Sequence, residues 1–229
     1  MDFKRETYCN QVADFIRKRI RDGEILPGDA VKEAVFAERL GISRAPIREA
    51  LQVLVQEGLI TSEPQKGKRV RKVTAKEILD SYLVGGILEG AGVAESLKFW
   101  TEEDMAQLSN ILYSMQNISD NAKGLDALME LDDAFHATLL MRCDNCRLVE
   151  IARLSCVTIS KFLCYQHWLT LYSPHDFFER HVVISDAVHS RDAVLVERLL
   201  REHYHEIGLR MSERGGHPPA REAGGACPL

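Results

Sequence analysis

Gly41-Ile42-Ser43-Arg44-Ala45-Pro46-Ile47-Arg48-Glu49-Ala50-Leu51-Gln52 reads as the turn and second helix of a helix-turn-helix. Gly41 permits the backbone reversal that closes a preceding helix. Ser43 falls at the N-cap, where its side-chain oxygen can accept an orphan backbone N–H. Pro46 lies in the first turn, where its missing N–H costs nothing. Ile47, Ala50, Leu51 and Leu54 then repeat at helical spacing and form one apolar face. Arg44 and Arg48 stand one turn apart on another face, at the end of a recognition helix that meets base edges and phosphates. The segment points to duplex DNA as the partner.

Working outward, residues 6–22 carry Val12, Phe15, Ile16 and Ile20 at helical spacing before Gly23. Leu26-Pro27-Gly28-Asp29 is a turn. A short helix over 32–40 should face Val35, Phe36 and Leu40 inward, and the next helix runs from about Arg44 to Glu57. Residues 59–63 and 68–73 read as two strands around Pro64-Gln65-Lys66-Gly67, a hairpin of the kind that makes a winged helix. The wing carries Lys66, Lys68, Arg69, Arg71 and Lys72 without an acid, which suits the phosphate backbone or the minor groove.

Thr74 with Glu77 is a capping-box signature and opens a second domain. Helical segments are predicted over 75–98, 102–118, 124–142, 146–168, 176–189 and 193–213, with further starts at Thr101–Asp104 and at Asp192. The expected fold is mainly α: a winged helix-turn-helix over 1–73, an all-α antiparallel bundle over 74–213, and a disordered tail over 214–229. Residues 1–73 carry a net charge of +4 and the remainder −9, a division that suits a DNA-binding domain joined to one with another task. The chain shows no leader-like apolar start and no stretch near the ~20 apolar residues of a membrane span. Its six cysteines follow no disulfide framework, and the reading is cytoplasmic with reduced thiols. Cys143-Asp144-Asn145-Cys146 lacks the second pair of a zinc site and the βαβ setting of a redox motif, so it is read as a helix-linking turn.

Asp132 and His136 lie four apart, on one face of a helix. His181 and His203 flank a turn at Ser190–Asp192 that sits close to their midpoint. If 176–189 and 193–213 form an antiparallel hairpin, the two imidazoles face each other, and Asp132 with His136 can complete an Asp-His-His-His set. One oxygen and three imidazoles suit a divalent transition metal, Zn²⁺ first, with Ni²⁺, Mn²⁺ or Fe²⁺ as alternatives. A carboxylate can enter the ion's open positions. Arg153 and Lys161, on the preceding helix, are candidates to hold such an acid. His189 and His205 are near misses by helical face.

These residues together resemble the GntR superfamily of bacterial transcription regulators, in the branch with an all-helical FadR-type (FCD) second domain. Gly23-Glu24-Ile25-Leu26-Pro27-Gly28 resembles the family's G-x-(L/I)-x-P-G turn. Phe36 to Leu51 resembles its L-A-E-x-L-G-V-S-R-T-P-V-R-E-A-L signature, with Ala45 in place of the commoner Thr. Asp132, Phe135, His136, Asn145, His181, Asp192 and His203 match the pattern D-x-x-F-H…N…H…D…H. The resemblance implies a ligand-responsive, sequence-specific DNA-binding regulator, read as a repressor. It implies a homodimer on a near-palindromic operator and a small organic acid sensed through a metal held by Asp132, His136, His181 and His203. Ser43, Arg44, Arg48, Lys66, Gly67 and Lys68 are then the expected DNA contacts. Many relatives carry an Arg about one turn before the position of Glu89; here the region is Val84-Gly85-Gly86-Ile87, and two glycines should weaken a helix there. A metal-dependent enzyme and a DNA-binding protein with a purely structural metal are the alternatives. The first lacks a phosphate loop, a nucleophile elbow and an HExxH motif.

Overall fold

The computed structural model describes residues 8–65, 67–120 and 124–217. These form two compact units, one ending at Val73 but including Val157–Gln166, the other beginning at Thr74.

In the first unit, α1 (Tyr8–Arg21), α2 (Glu33–Leu40) and α3 (Arg44–Gln56) precede a hairpin of β1 (Ile60–Glu63) and β2 (Gly67–Val70). The strands are antiparallel, with Ile60 opposite Val70 and Glu63 opposite Gly67. The 28–31 segment lies along the far side of β2, with Gly28 donating to the Val70 carbonyl and Val31 to that of Lys68. Gly41 closes α2 at φ +66°, the left-handed conformation the turn requires. The apolar face of α3 is buried as the spacing predicts, with Ile47, Ala50, Leu51 and Leu54 all sealed. They meet Val12, Ile16 and Ile20 of α1 in one core. Two local expectations fail. Val35 points outward, because Phe36 alone supplies the buried contact of a helix only eight residues long. Ser43 sits at the N-cap of α3 without a side-chain cap bond.

The second unit is helical among the described residues: α4 (Ala75–Ser96), α5 (Glu102–Asp120), α6 (Met129–Leu139), α7 (Cys146–Thr158, whose last two residues group with the first unit), α8 (Tyr165–Trp168, whose first two residues group with the first unit), α9 (Pro174–His189) and α10 (Ala193–Gly215). Thr74 and Glu77 form the full capping box at the start of α4. Asp192 caps α10 by accepting from Leu195 N at 2.9 Å. The long helix expected over 146–168 is interrupted: a π-turn spans Ile159–Leu163, the Cys164 N–H reaches back to the Ile159 carbonyl, and α8 follows. Residues 157–166 group with the first unit, so burial of Ile159, Leu163 and Cys164 there overrides the continuous period. Helix α10 runs two residues beyond the predicted end, to Gly215; of the tail expected over 214–229, residues 218–229 lie outside the described residues.

Helix α4 runs unbroken through Gly85 and Gly86, contrary to the weakening expected of them. The compensation is close packing along α10. A Cβ added at Gly86 would stand 2.8 Å from Tyr204 Cβ, and one added at Gly90 would stand 3.0 Å from the Glu197 carbonyl oxygen.

Candidate functional site

The chain places its chemistry in two locations, one in each unit. In the first, α3 presents Ser43, Arg44 and Arg48 on its exposed side, opposite the sealed apolar face. Arg48 Nε lies 3.2 Å from Glu33 Oε2, and Lys68 Nζ lies 3.1 Å from Glu33 Oε1. One carboxylate at the start of α2 thus ties a recognition-helix arginine to a wing lysine. The bond from Lys68 lowers the pKa of Glu33, burial opposes that shift, and Arg48 adds to it. Gly67 opens β2 at φ +76°, while Lys66 lies outside the described residues. Arg69 bends back to donate to the Gly28 carbonyl at 2.9 Å.

In the second unit, α9 and α10 lie side by side, joined by the turn at Ser190–Asp192. His181 and His203 face each other with ring centroids 5.1 Å apart. Helix α6 brings His136 to within 5.4 Å of the His203 ring and 5.9 Å of the His181 ring, centroid to centroid. One nitrogen from each of the three imidazoles falls within 4.8 Å of the others. Asp132 Oδ1 lies 3.0 Å from His181 Nε2 and 3.6 Å from His136 Nε2. The structure therefore collects all four residues singled out in the sequence, with Asp132 set against two of the three rings.

The hydrogen bonds around the rings define which nitrogens are available. His181 Nδ1 donates to the Phe177 carbonyl at 2.7 Å. His136 Nδ1 lies 2.5 Å from Glu89 Oε1. These two rings thus have a partner on Nδ1 and turn Nε2 toward Asp132, the arrangement that fixes the tautomer of metal-ligating histidines. His203 Nε2 is buried with no partner among the described residues. A buried polar atom without a partner carries a desolvation cost of about 1–3 kcal/mol, and a cation bonded at that nitrogen would remove it. The donor set and this orphaned nitrogen fit a divalent metal.

Electrostatics agree. Burial opposes charge on His136, but Glu89 and Asp132 outweigh it and hold its pKa well above the usual imidazole value. Burial, followed by the charges of His181 and His136, drives His203 well below that value. Burial opposes ionisation of Asp132, yet His136 and His181 keep it below the usual carboxylate range. Access is one-sided. His181 and Glu89 are sealed, whereas the Asp132 and His136 side chains keep 23% and 17% of their surface, so a small molecule would approach beside α6.

The two residues expected to hold an acid lie on α7 and on the turn that follows it. Arg153 is exposed on α7, and Lys161 lies in the π-turn at Ile159–Leu163, which groups with the first unit. Glu89 and Tyr204 are the contacts not proposed from the sequence. Glu89 had a visible signal: it is the one charged residue in the apolar run from Ser81 to Ala94. His205 is exposed, as its helical face predicts, and His189 Nε2 meets Ser109 Oγ at 3.2 Å instead. Cys143 and Cys146 are free thiols at the α6–α7 connection.

Comparison with known proteins gives a family for each of the two regions. Residues 9–70 match the model of bacterial regulatory proteins of the gntR family, and residues 80–206 match the FCD domain. The chain is 30% identical over 200 residues to the HTH-type transcriptional repressor RspR of Escherichia coli K12, covering 86% of each chain. It is 27% identical over 201 residues to the gluconate operon transcriptional repressor of Bacillus subtilis 168, covering 86% of this chain and 82% of the relative. The fold is similar to that of E. coli McbR/YncC, with a TM-score of 0.66 at 20% identity, covering 87% of this chain and 94% of the other. No helix among the described residues is long and apolar enough to cross a membrane. With a winged helix-turn-helix in front and a histidine-lined helical domain behind, this chain belongs to the GntR family of DNA-binding transcriptional regulators, in the group with an FCD domain, and is not an enzyme.

Proposed function

We propose that this regulator is a ligand-responsive repressor whose helical domain, residues 74–213, holds a divalent transition metal on Asp132, His136, His181 and His203. The supporting observations are the convergence of three imidazole nitrogens within 4.8 Å and a His203 Nε2 buried without a partner among the described residues. When bound, the metal supplies a Lewis-acid site for a small carboxylate. Asp132 offers its oxygen on the open side beside α6. Glu89 and the Phe177 carbonyl orient two of the rings. Zn²⁺ suits this set best, and Ni²⁺, Mn²⁺ and Fe²⁺ accept the same donors.

In the first domain, residues 1–73, Arg44 and Arg48 read the major groove. Ser43, whose hydroxyl is not used as a cap, grips the backbone together with Lys66, Gly67 and Lys68 of the wing. The protein acts as a homodimer on a near-palindromic operator. An effector shifts DNA binding only as far as it distinguishes the two dimer geometries, and coupling of about 1–3 kcal/mol changes operator affinity roughly 5- to 150-fold. Arg153 and Lys161 are the side chains proposed to help hold the effector's carboxylate.

Metal analysis of the purified protein, joined to a thermal-shift screen of small carboxylates with and without chelator, tests it. A carboxylate that stabilises only the metallated protein supports the reading; at 100 times its Kd it should add about 2.7 kcal/mol. Equal shifts with and without chelator would overturn the metal route. Metal stabilisation with no response to any carboxylate would make the metal structural.

A further inference from the structure

Glu89 stands in the middle of α4 with 2% of its surface exposed. A buried carboxylate persists where donors satisfy it, and two do. His136 Nδ1 lies 2.5 Å from Oε1, and the Tyr204 hydroxyl donates to Oε2 at 2.7 Å. Tyr204 comes from α10, next to the proposed ligand His203. Its ring reaches Glu89 because residues 85 and 86 have no side chains. A Cβ at Gly85 would stand 2.8 Å from Tyr204 Cε1 and 3.2 Å from Cys156 Sγ; one at Gly86 would stand 2.8 Å from Tyr204 Cβ. The glycine pair is a cradle for this ring.

A neutral imidazole carries one N–H. With that proton held on Nδ1 by Glu89, His136 Nε2 keeps its lone pair toward His181, His203 and Asp132. We propose that Glu89 and Tyr204 are a positioning pair that locks His136 in this tautomer and so sets the affinity of the cluster for a divalent cation, with Gly85 and Gly86 as its steric requirement. This inference rests on the metal reading above and deepens it. Tyr204 restrains Glu89, Glu89 restrains His136, and neither touches the cation.

The test uses Co²⁺ as a spectroscopic probe, in competition with a chromophoric chelator, on the full chain. Outer-shell partners of metal-bound histidines are worth about 10- to 100-fold in affinity. Glu89→Gln should weaken Co²⁺ binding within that range, and Glu89→Asp should restore part of it. Tyr204→Phe keeps the ring in its cradle and removes one hydroxyl; it should weaken binding in the same direction by a smaller factor. Gly85→Ala, which leaves every polar group in place but evicts the ring, should match or exceed the effect of Tyr204→Phe. Nitrogen-15 shifts of His136 in the metal-free protein, read at a pH high enough for the ring to be neutral, should show the Nδ1–H tautomer in wild type and a mixed population in Glu89→Gln, a change that loss of packing alone would not produce. If Glu89→Gln and Tyr204→Phe both bind Co²⁺ like wild type while His136→Ala abolishes binding, the positioning role is overturned and the metal site stands. If wild type binds no Co²⁺, or all three His→Ala variants bind it like wild type, both readings fall.

Discussion

Glu33→Gln releases two cations at once, Arg48 on α3 and Lys68 on the wing. The Arg48 side chain is 66% exposed and the contact is 3.2 Å long, so solvent screens it; such pairs stabilise by about 0.2–1 kcal/mol. The Lys68 pair is less exposed, at 18% and 26%. Together they should cost Glu33→Gln no more than about 2 kcal/mol of folding stability. On DNA the sign reverses. The substitution removes a negative charge beside phosphates and frees Arg48 from a competitor, so affinity for any duplex should rise by up to about fivefold, or ~1 kcal/mol. Arg48→Ala should instead lose about 1–3 kcal/mol of base discrimination, roughly 5- to 150-fold, on the operator alone. Fluorescence anisotropy on an operator fragment and a scrambled duplex, at several salt concentrations, separates the two effects. Urea unfolding supplies the stability term. The reasoning is refuted if Glu33→Gln weakens operator binding tenfold or more, which would mean that Glu33 aligns the cations for DNA. It is also refuted if Arg48→Ala weakens both duplexes equally, which would make Arg48 a phosphate contact.

Four further outcomes follow from the same geometry. Arg142 holds the sealed Asp104 by two 2.8 Å bonds and pulls its pKa down to about 2. The folded value lies below the unfolded one, so this stabilisation is complete above about pH 4 and fades as pH falls towards 2. Arg142→Ala should lower stability at neutral pH and lower it less in acid, read by urea denaturation at the two pH values. Thr74→Ala removes the capping box of α4 and should lower stability by about 0.5–2 kcal/mol in the same assay. Leu54→Ala opens a hole in the sealed core of the first unit and should cost about 2–5 kcal/mol, with loss of DNA binding on mild warming. Metal uptake must displace the proton that Glu89 and Asp132 favour on His136 against the cost of burial. Apparent Co²⁺ affinity should therefore rise with pH across neutrality, and a flat profile would contradict it.

The sequence alone determined those features whose cause lies within a few residues. Helical period buries Ile47, Ala50, Leu51 and Leu54; Gly41 takes the left-handed turn; Thr74, Asp192 and the Thr101–Asp104 pair start helices. It also placed Asp132 with His136, one turn apart, and opposed His181 to His203 through a turn near their midpoint, because a hairpin of two regular helices has a predictable register. Tertiary structure decided the rest. The π-turn at Ile159–Leu163 exists because those residues pack with the first unit, which no local period announces. Glu33 meets Lys68 across 35 positions, and Glu89 meets Tyr204 across 115. Whether Gly85 and Gly86 are weak points or a cradle depends on a ring from α10. Spacing along a chain specifies which side chains share one helix face; only the docking of separate elements specifies which buried carboxylate finds which donor.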